Sequence, residues 1–402
     1  MKQQTFELDL IGQYYASIIN RRQYGVFALS VHLKEDINPP VLQQSVNDLM
    51  CRLPFLNGRL KRGFFHYKHE VLATPPQIKP ASEEPLFCDY YNKGSGHMID
   101  IVYGKRNFTV RTTHSICDGR GLSKITSALL VRYFECLGVK PADKGSIIDC
   151  SETFQPEEAE NAFERFANRN PNQAGQKSKT FKKPKAYRSK FSKYAPQHIL
   201  TKVFDGSKIK AAAKTYNATV SEYILAQIFR GIEKERDADK SPIVAMIPID
   251  CRSFFPSKTL RSFVSSTAIT MPETKDFAQM LQQISAQFLN INKDNVQAEI
   301  NDFQNLYKAA RYVPRLAKTW FMKMIARHES AGFTTGLSNL GLMKLPAEIE
   351  NRVDYFEFPI SLERDTPYFF SCVTARDALA LTATFRDEGH GLVEDIMNNF
   401  EI

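Results

Sequence analysis

Thr112-Thr113-His114-Ser115-Ile116-Cys117-Asp118-Gly119 is the stretch that decides how the rest of the chain is read. Phe108, Val110, Thr112 and His114 share one face of an alternating strand, and Thr109, Arg111 and Thr113 share the other. The alternating run before it, from Met98 to Tyr103, pairs with this strand through Gly104-Lys105-Arg106-Asn107, a hairpin turn. After Gly119 and Gly121 the spacing predicts a helix with Leu122, Ile125, Leu129 and Tyr133 on one side, ending near Gly138. His114 therefore continues an apolar face to its end and points inward. A histidine at a strand end, with a carboxylate four residues on and a glycine to turn the chain, suits a positioned general base.

The plain alternative is a core histidine. The chain has eight histidines, and a chance His-x-x-x-Asp-Gly among them has a probability of about 3%. A histidine on a buried strand face is more often a packed residue than a catalyst, so the six residues need the strand–turn–helix context. Cys117 invites a Cys–His nucleophile, but its position in the turn and the lack of an acidic group suited to orient His114 speak against it. His66 and His69 stand three apart in an alternating run, face opposite ways and cannot share a metal. No metal site is expected.

At 402 residues the chain exceeds one ordinary core and suggests two domains. Residues 1–165 form an N-terminal half with the His114 motif, 166–196 a Pro-, Lys- and Asn-rich linker, and 197–402 a C-terminal half. Apolar residues make up 43%, no apolar signal core opens the chain and no run approaches a membrane span, so a soluble protein is expected. Seven scattered cysteines, odd in number and without Cys-x-x-Cys, point to a reducing cytoplasm rather than to disulfides or structural zinc. The net charge is +9, and much of it sits from Lys177 to Lys193. That run can attract an anionic partner, or be no more than a solvated linker. No zinc-finger, helix-turn-helix or stacking motif accompanies it, which argues against nucleic acid.

Each half mixes helix and strand. The first predicts a strand at 25–33, a helix at 41–53 and an alternating strand at 63–72 before the hairpin. The second predicts strands at 200–204, 243–249, 260–270, 334–339, 353–358, 368–374 and 378–385. Its helices are expected at 207–216, 223–232, 277–289, 313–327 and 391–400. Two α+β halves of similar grammar suggest two sandwiches with a site between them.

In this order the motifs resemble those of the CoA-dependent acyltransferase superfamily, which includes chloramphenicol acetyltransferase, plant and microbial alcohol acyltransferases and the condensation domains of peptide synthetases. Arg52 to Leu60 resembles the early basic motif, and His114 to Gly119 the His-x-x-x-Asp-Gly. The helix pair around Thr219 to Tyr223, the strand Ile247 to Arg252, Arg261 to Ser266 and Ser338 to Pro346 follow in family order. Thr113 stands where condensation domains carry a second histidine, and the plant Asp-Phe-Gly-Trp-Gly is missing. The Ser-Asn-Leu-Gly form is more similar to microbial alcohol acetyltransferase-like proteins.

The resemblance implies two chloramphenicol acetyltransferase-like α/β sandwich halves with the active site in a channel between them. It implies transfer of an acyl group from CoA or pantetheine to a hydroxyl or amine in a ternary complex, with His114 as general base. No permanently bound cofactor is implied, since acyl-CoA or acyl-pantetheine is a co-substrate. The partners implied are a small alcohol or amine acceptor and, in one reading, an acyl carrier protein. A carrier-dependent condensation or release enzyme and a catalytically silent relative are the alternatives. Asp118 reads as a second acid, an orienting group or, as the resemblance implies, one side of a structural ion pair, with Arg252 the first candidate partner and Arg59 the second. Gly119 reads as a source of backbone freedom. Ser338, Asn339 and Ser266 are candidate oxyanion or substrate donors, with ordinary strand-end hydrogen bonding as the alternative for each.

Overall fold

A computed structural model describes residues 5–20, 23–87, 96–168, 186–189, 191–192, 195–236, 240–386 and 390–400. Its strands are β1 Thr5–Glu7, β2 Val26–Leu33, β3 Gly58–Arg62, β4 Tyr67–Val71, β5 Lys79–Pro80, β6 Ile99–Tyr103, β7 Asn107–Thr113, β8 Gln197–Asp205, β9 Val244–Asp250, β10 Val264–Thr270, β11 Thr335–Leu342, β12 Val353–Glu357, β13 Tyr368–Ala375 and β14 Ala378–Arg386. The helices are α1 Leu10–Ile18, α2 Pro39–Arg52, α3 Gly119–Cys136, α4 Ala162–Phe166, α5 Gly206–Thr215, α6 Val220–Glu235, α7 Phe277–Phe288, α8 Lys293–Ala309, α9 Arg315–Ser330, α10 Ala347–Glu350 and α11 His390–Asn398. The strands form three sheets, in the orders β1-β4-β3, β12-β2-β7-β6-β5 and β10-β9-β11-β13-β14-β8.

The hairpin that carries His114 has the register expected from its alternation, with Tyr103 opposite Phe108 and Ile99 opposite Thr112. Its apolar face is covered by α2 and α3. Asn38 caps α2, whose first two residues are prolines, and Asp118 caps α3. On α3, Leu122, Ile125, Leu129 and Tyr133 are fully buried. Each stabilises the layer by about 1.5–3 kcal/mol relative to exposure. The second half stacks α6, α7 and α11 against its six-stranded sheet, around Ile224, Ile228, Phe370 and Leu381. Thr219 and Glu222 form a reciprocal capping box that starts α6. Among the described residues no helix is long and apolar enough to cross a membrane.

Three features depart from the sequence expectation. The segment read as a strand from Leu260 becomes one only at Val264. Four helices, α1, α4, α8 and α10, occupy stretches assigned no element. Most consequential, β12 leaves its own half and pairs with the outer edge of β2, placing Phe356 opposite Val31. The first sheet is therefore completed by a strand from beyond the boundary expected near residue 196, and the first core takes in Val353, Phe356 and Phe358. Of the basic run, only Arg188 is among the described residues, and it donates to Ser330 O at 3.1 Å. The rest of the run lies outside them.

Candidate active site

The turn after β7 places His114 where the two halves meet. Tyr15 and Phe27 lie against its ring at centroid distances of 4.5 and 4.4 Å, with interplanar angles of 26° and 34°. Tyr15 stacks on the imidazole and Phe27 packs against it at a tilt. Phe27 comes from β2, the strand next to β7, and Tyr15 comes from α1. His114 Nδ1 is buried with no hydrogen-bond partner, while the residue as a whole keeps some exposure. Burial pulls the imidazole down to about 4; the Asp118 charge and the Cys117 backbone act weakly the other way. At neutral pH the ring is an uncharged base. Burial also pushes the Tyr14 and Tyr15 phenols far up, so both stay protonated.

Asp118 faces away from the imidazole's working edge and organises the turn. Its Oδ1 accepts from Gly121 N at 2.8 Å, capping α3. Its Oδ2 accepts from Arg252 Nη1 at 2.9 Å and from Phe263 N at 2.7 Å. Arg252 also donates to Asp250 Oδ1 at 2.9 Å, to Thr259 O at 3.0 Å and to Arg261 O at 2.6 Å. Burial works against the Arg252 charge, but Asp118 and Asp250 outweigh it and raise the guanidinium above its ordinary range.

The segment from Leu260 to Phe263, expected as strand, is a strap between the halves. Several of its polar groups bond the other lobe. Ser262 Oγ donates to His114 O at 3.0 Å, and Arg261 Nη2 donates to Asp9 Oδ2 at 3.0 Å and to Glu7 O at 2.8 Å. Asp9 caps α1 through Gly12 N at 2.7 Å. Two buried arginine–aspartate pairs thus use the same device. In each the aspartate is a helix cap: one fixes the helix that follows His114, the other the helix that carries Tyr15. Gly121 lets the strap approach, because a Cβ there would stand 2.1 Å from Leu260 O.

Several expected residues fall elsewhere or act differently. Arg59 is not the partner of Asp118; it sits on β3, half exposed, with its Nη2 2.8 Å from Glu70 Oε2. Gly119 does not supply left-handed backbone, since its φ is not positive. It makes room instead: a Cβ would meet Leu340 Cδ2 at 3.0 Å and Phe358 Cζ at 3.2 Å. Ser266 is exposed on the edge strand β10, opposite Pro248. Asn339 spends its amide locally, donating to Ser221 Oγ at 2.9 Å and accepting from Gly341 N at 2.7 Å. Ser338 is buried on β11 beside Ser371, and neither Ser338 nor Asn339 hydrogen-bonds to His114. Cys117 is fully buried, and burial raises its thiol well above the ordinary range. That leaves it no thiolate with which to act.

The residues missed by sequence reasoning are Tyr15, Phe27, Ser262 and the Asp9–Arg261 pair. A signal existed for α1: Asp9 precedes Leu10 and Gln13 in an N-cap position. A cleft of about 270 Å³ opens beyond the Arg252 node, lined by Ser221, Pro248, Asp250, Phe254 and Asn339.

The chain has the two-lobed fold also seen in a peptide-synthetase condensation domain and in a trichothecene acetyltransferase. Among solved structures it is similar to polyketide synthase associated protein 5 from Mycobacterium tuberculosis (TM-score 0.65, 14% identity, 98% of this chain and 96% of that one). It is also similar to the first condensation domain of the CDA synthetase (TM-score 0.63, 11% identity, 99% and 95%). A third is trichothecene 15-O-acetyltransferase from Fusarium sporotrichioides (TM-score 0.63, 10% identity, 100% and 96%). No family model and no curated protein sequence matches the chain. At these identities the likeness establishes the fold.

Proposed function

We propose that the protein is an acyltransferase that moves an acyl group from a CoA or pantetheine thioester to a hydroxyl or amine, with alcohol O-acetylation the leading form. The observation that carries this reading is His114: a neutral imidazole packed against Tyr15 and Phe27, its backbone tied by Ser262 and its neighbouring carboxylate engaged by Arg252. With Nδ1 sealed and holding the ring proton, Nε2 accepts the acceptor's proton as its oxygen or nitrogen attacks the thioester carbonyl. The carbon–oxygen or carbon–nitrogen bond forms, the carbon–sulfur bond breaks, and the proton passes from Nε2 to the departing thiolate. A thioester is already activated, so the scheme needs no enzyme nucleophile, in keeping with the buried Cys117 thiol. Both substrates are bound before chemistry.

The test is transfer from a series of acyl-CoA donors, and from acyl groups on a phosphopantetheinylated carrier protein, to a panel of alcohols and amines. The reading expects acylated acceptor and free thiol in equal amounts. His114→Ala should lose at least about a hundredfold in rate while melting normally. The donor that turns over decides between CoA and carrier protein. Saturable donor binding without turnover would identify a silent relative. A stable acyl adduct on the enzyme alone, seen by intact mass, would overturn the ternary-complex scheme.

A further inference from the structure

The inner face of α9 packs on α1 through Met322 and Ala326, beside Leu10 and Ile18. Among the described residues nothing covers its outer face. Leu316, Trp320 and Met324, spaced at four-residue intervals, are 73%, 69% and 47% exposed. Tyr312, just before the helix, is 77% exposed. The β3–β4 turn extends the patch, because Arg315 N donates to Phe64 O and Arg315 Nε to Gly63 O, both at 2.9 Å. That turn presents Phe64, 75% exposed, and Phe65. Large apolar side chains gathered on one face of a soluble fold mark an interaction surface.

The charge around the patch selects the occupant. From Phe303 to His328 the sequence contains no Asp or Glu. Lys308, Arg311, Lys323 and Arg327 in this stretch are exposed. Apolar and aromatic residues on a helix's outward side, with exposed cations among them on the same stretch, match the boundary between acyl chains and anionic headgroups. We infer that the outer face of α9 and the β3–β4 turn dock the protein peripherally on an anionic lipid surface. Because α9 rests on the helix that presents Tyr15 to His114, docking holds the candidate active site one helix away from the lipid.

Trp320 is the chain's single tryptophan, so its fluorescence reports the patch directly. The intact protein is mixed with vesicles of phosphatidylcholine alone, or of phosphatidylcholine with about 30% phosphatidylserine, and binding is read by flotation and Trp320 emission. The inference expects binding and a blue shift with the anionic vesicles only, weakened between about 50 and 500 mM salt. Lys323→Glu with Arg327→Glu should weaken binding by about tenfold or more, and Leu316→Ser with Met324→Ser should abolish the blue shift. Both pairs should leave acyl transfer between soluble substrates unchanged, which separates this result from any failure of the proposed activity. Absence of binding to either vesicle would overturn the inference. So would self-association in sedimentation that Leu316→Ser with Met324→Ser removes, since the face would then belong to a second copy of the chain.

Discussion

Replacing Asp118 with alanine should cost stability before it costs chemistry, and the structure sets the scale. One carboxylate holds three groups: Gly121 N at 2.8 Å, Phe263 N at 2.7 Å and Arg252 Nη1 at 2.9 Å. Breaking a buried ion pair from one side typically costs about 3–5 kcal/mol. Here Asp250 remains on the same guanidinium nitrogen and two carbonyls still accept from Arg252, so the low end applies. Loss of the helix cap adds about 1 kcal/mol, and an orphaned Phe263 N about 1–3. These losses share one side chain and do not add in full, which gives about 4 kcal/mol. In a body of this size that lowers Tm by roughly 5 °C. Asp118→Asn keeps an oxygen for Gly121 N and should lose about half as much. Asp250→Ala should lose less again, because the Asp250 side chain is a quarter exposed. The assay is thermal melting of the three variants beside the parent. An Asp118→Ala melt within about 2 °C of the parent, or a larger loss for Asp250→Ala, would refute the assignment of Asp118 as the structural node.

Because burial holds His114 near a pKa of about 4, kcat/KM for acyl transfer should stay level as pH falls through 6.5, breaking only below about pH 5; a break near 6.5 would mean an imidazole open to water. His69 is likewise held near 4 by burial, and both rings are neutral in the fold but protonate in the unfolded chain from about pH 6.5 downward. Their stabilisation is therefore complete above pH 6.5 and lost towards pH 4, on the order of 3 kcal/mol each, so Tm should fall between pH 7 and pH 5; equal melts at the two values would contradict this. Gly121→Ala should destabilise more than Gly119→Ala, since the first drives a Cβ into the Leu260 carbonyl and the second only crowds Leu340 and Phe358; melting temperatures in the reverse order would count against the strap. Tyr15→Ala should lower kcat more than it changes KM while Tyr15→Phe stays near the parent, because the ring's stacking on His114 carries the effect; equal losses would assign the work to the hydroxyl.

The hairpin and α3 were legible because periodicity and turn chemistry agree there: alternation to His114, a break, then a 3.6-residue apolar stripe. The same logic misled at Leu260, where alternation continues but the backbone is engaged elsewhere. Phe263 N bonds Asp118, and the carbonyl of Arg261 accepts from Arg252, so neither is free for a ladder. Helix α8 escaped notice because it buries little beyond Val296, Ile300 and Gln304. Ser266 is exposed on β10, while its neighbour Ser265 is the buried one. The exchange of β12 was beyond reach, since alternation reports which face of a strand is apolar and not which strand it will pair with.

That exchange governs how the protein can be made. Residue 32 of β2 pairs with residue 355 of β12, so the first sheet stays incomplete until about 320 further residues have been made. At about 5–20 residues per second, the outer edge of β2 waits roughly 15–65 s for its partner. Throughout that interval a nascent N-terminal lobe offers a row of unpaired amides and carbonyls beside an unfinished apolar layer, open to a strand from a neighbouring chain. Its yield during synthesis should therefore depend on chaperones that shield that edge, and on the rate at which the stretch between β2 and β12 is translated.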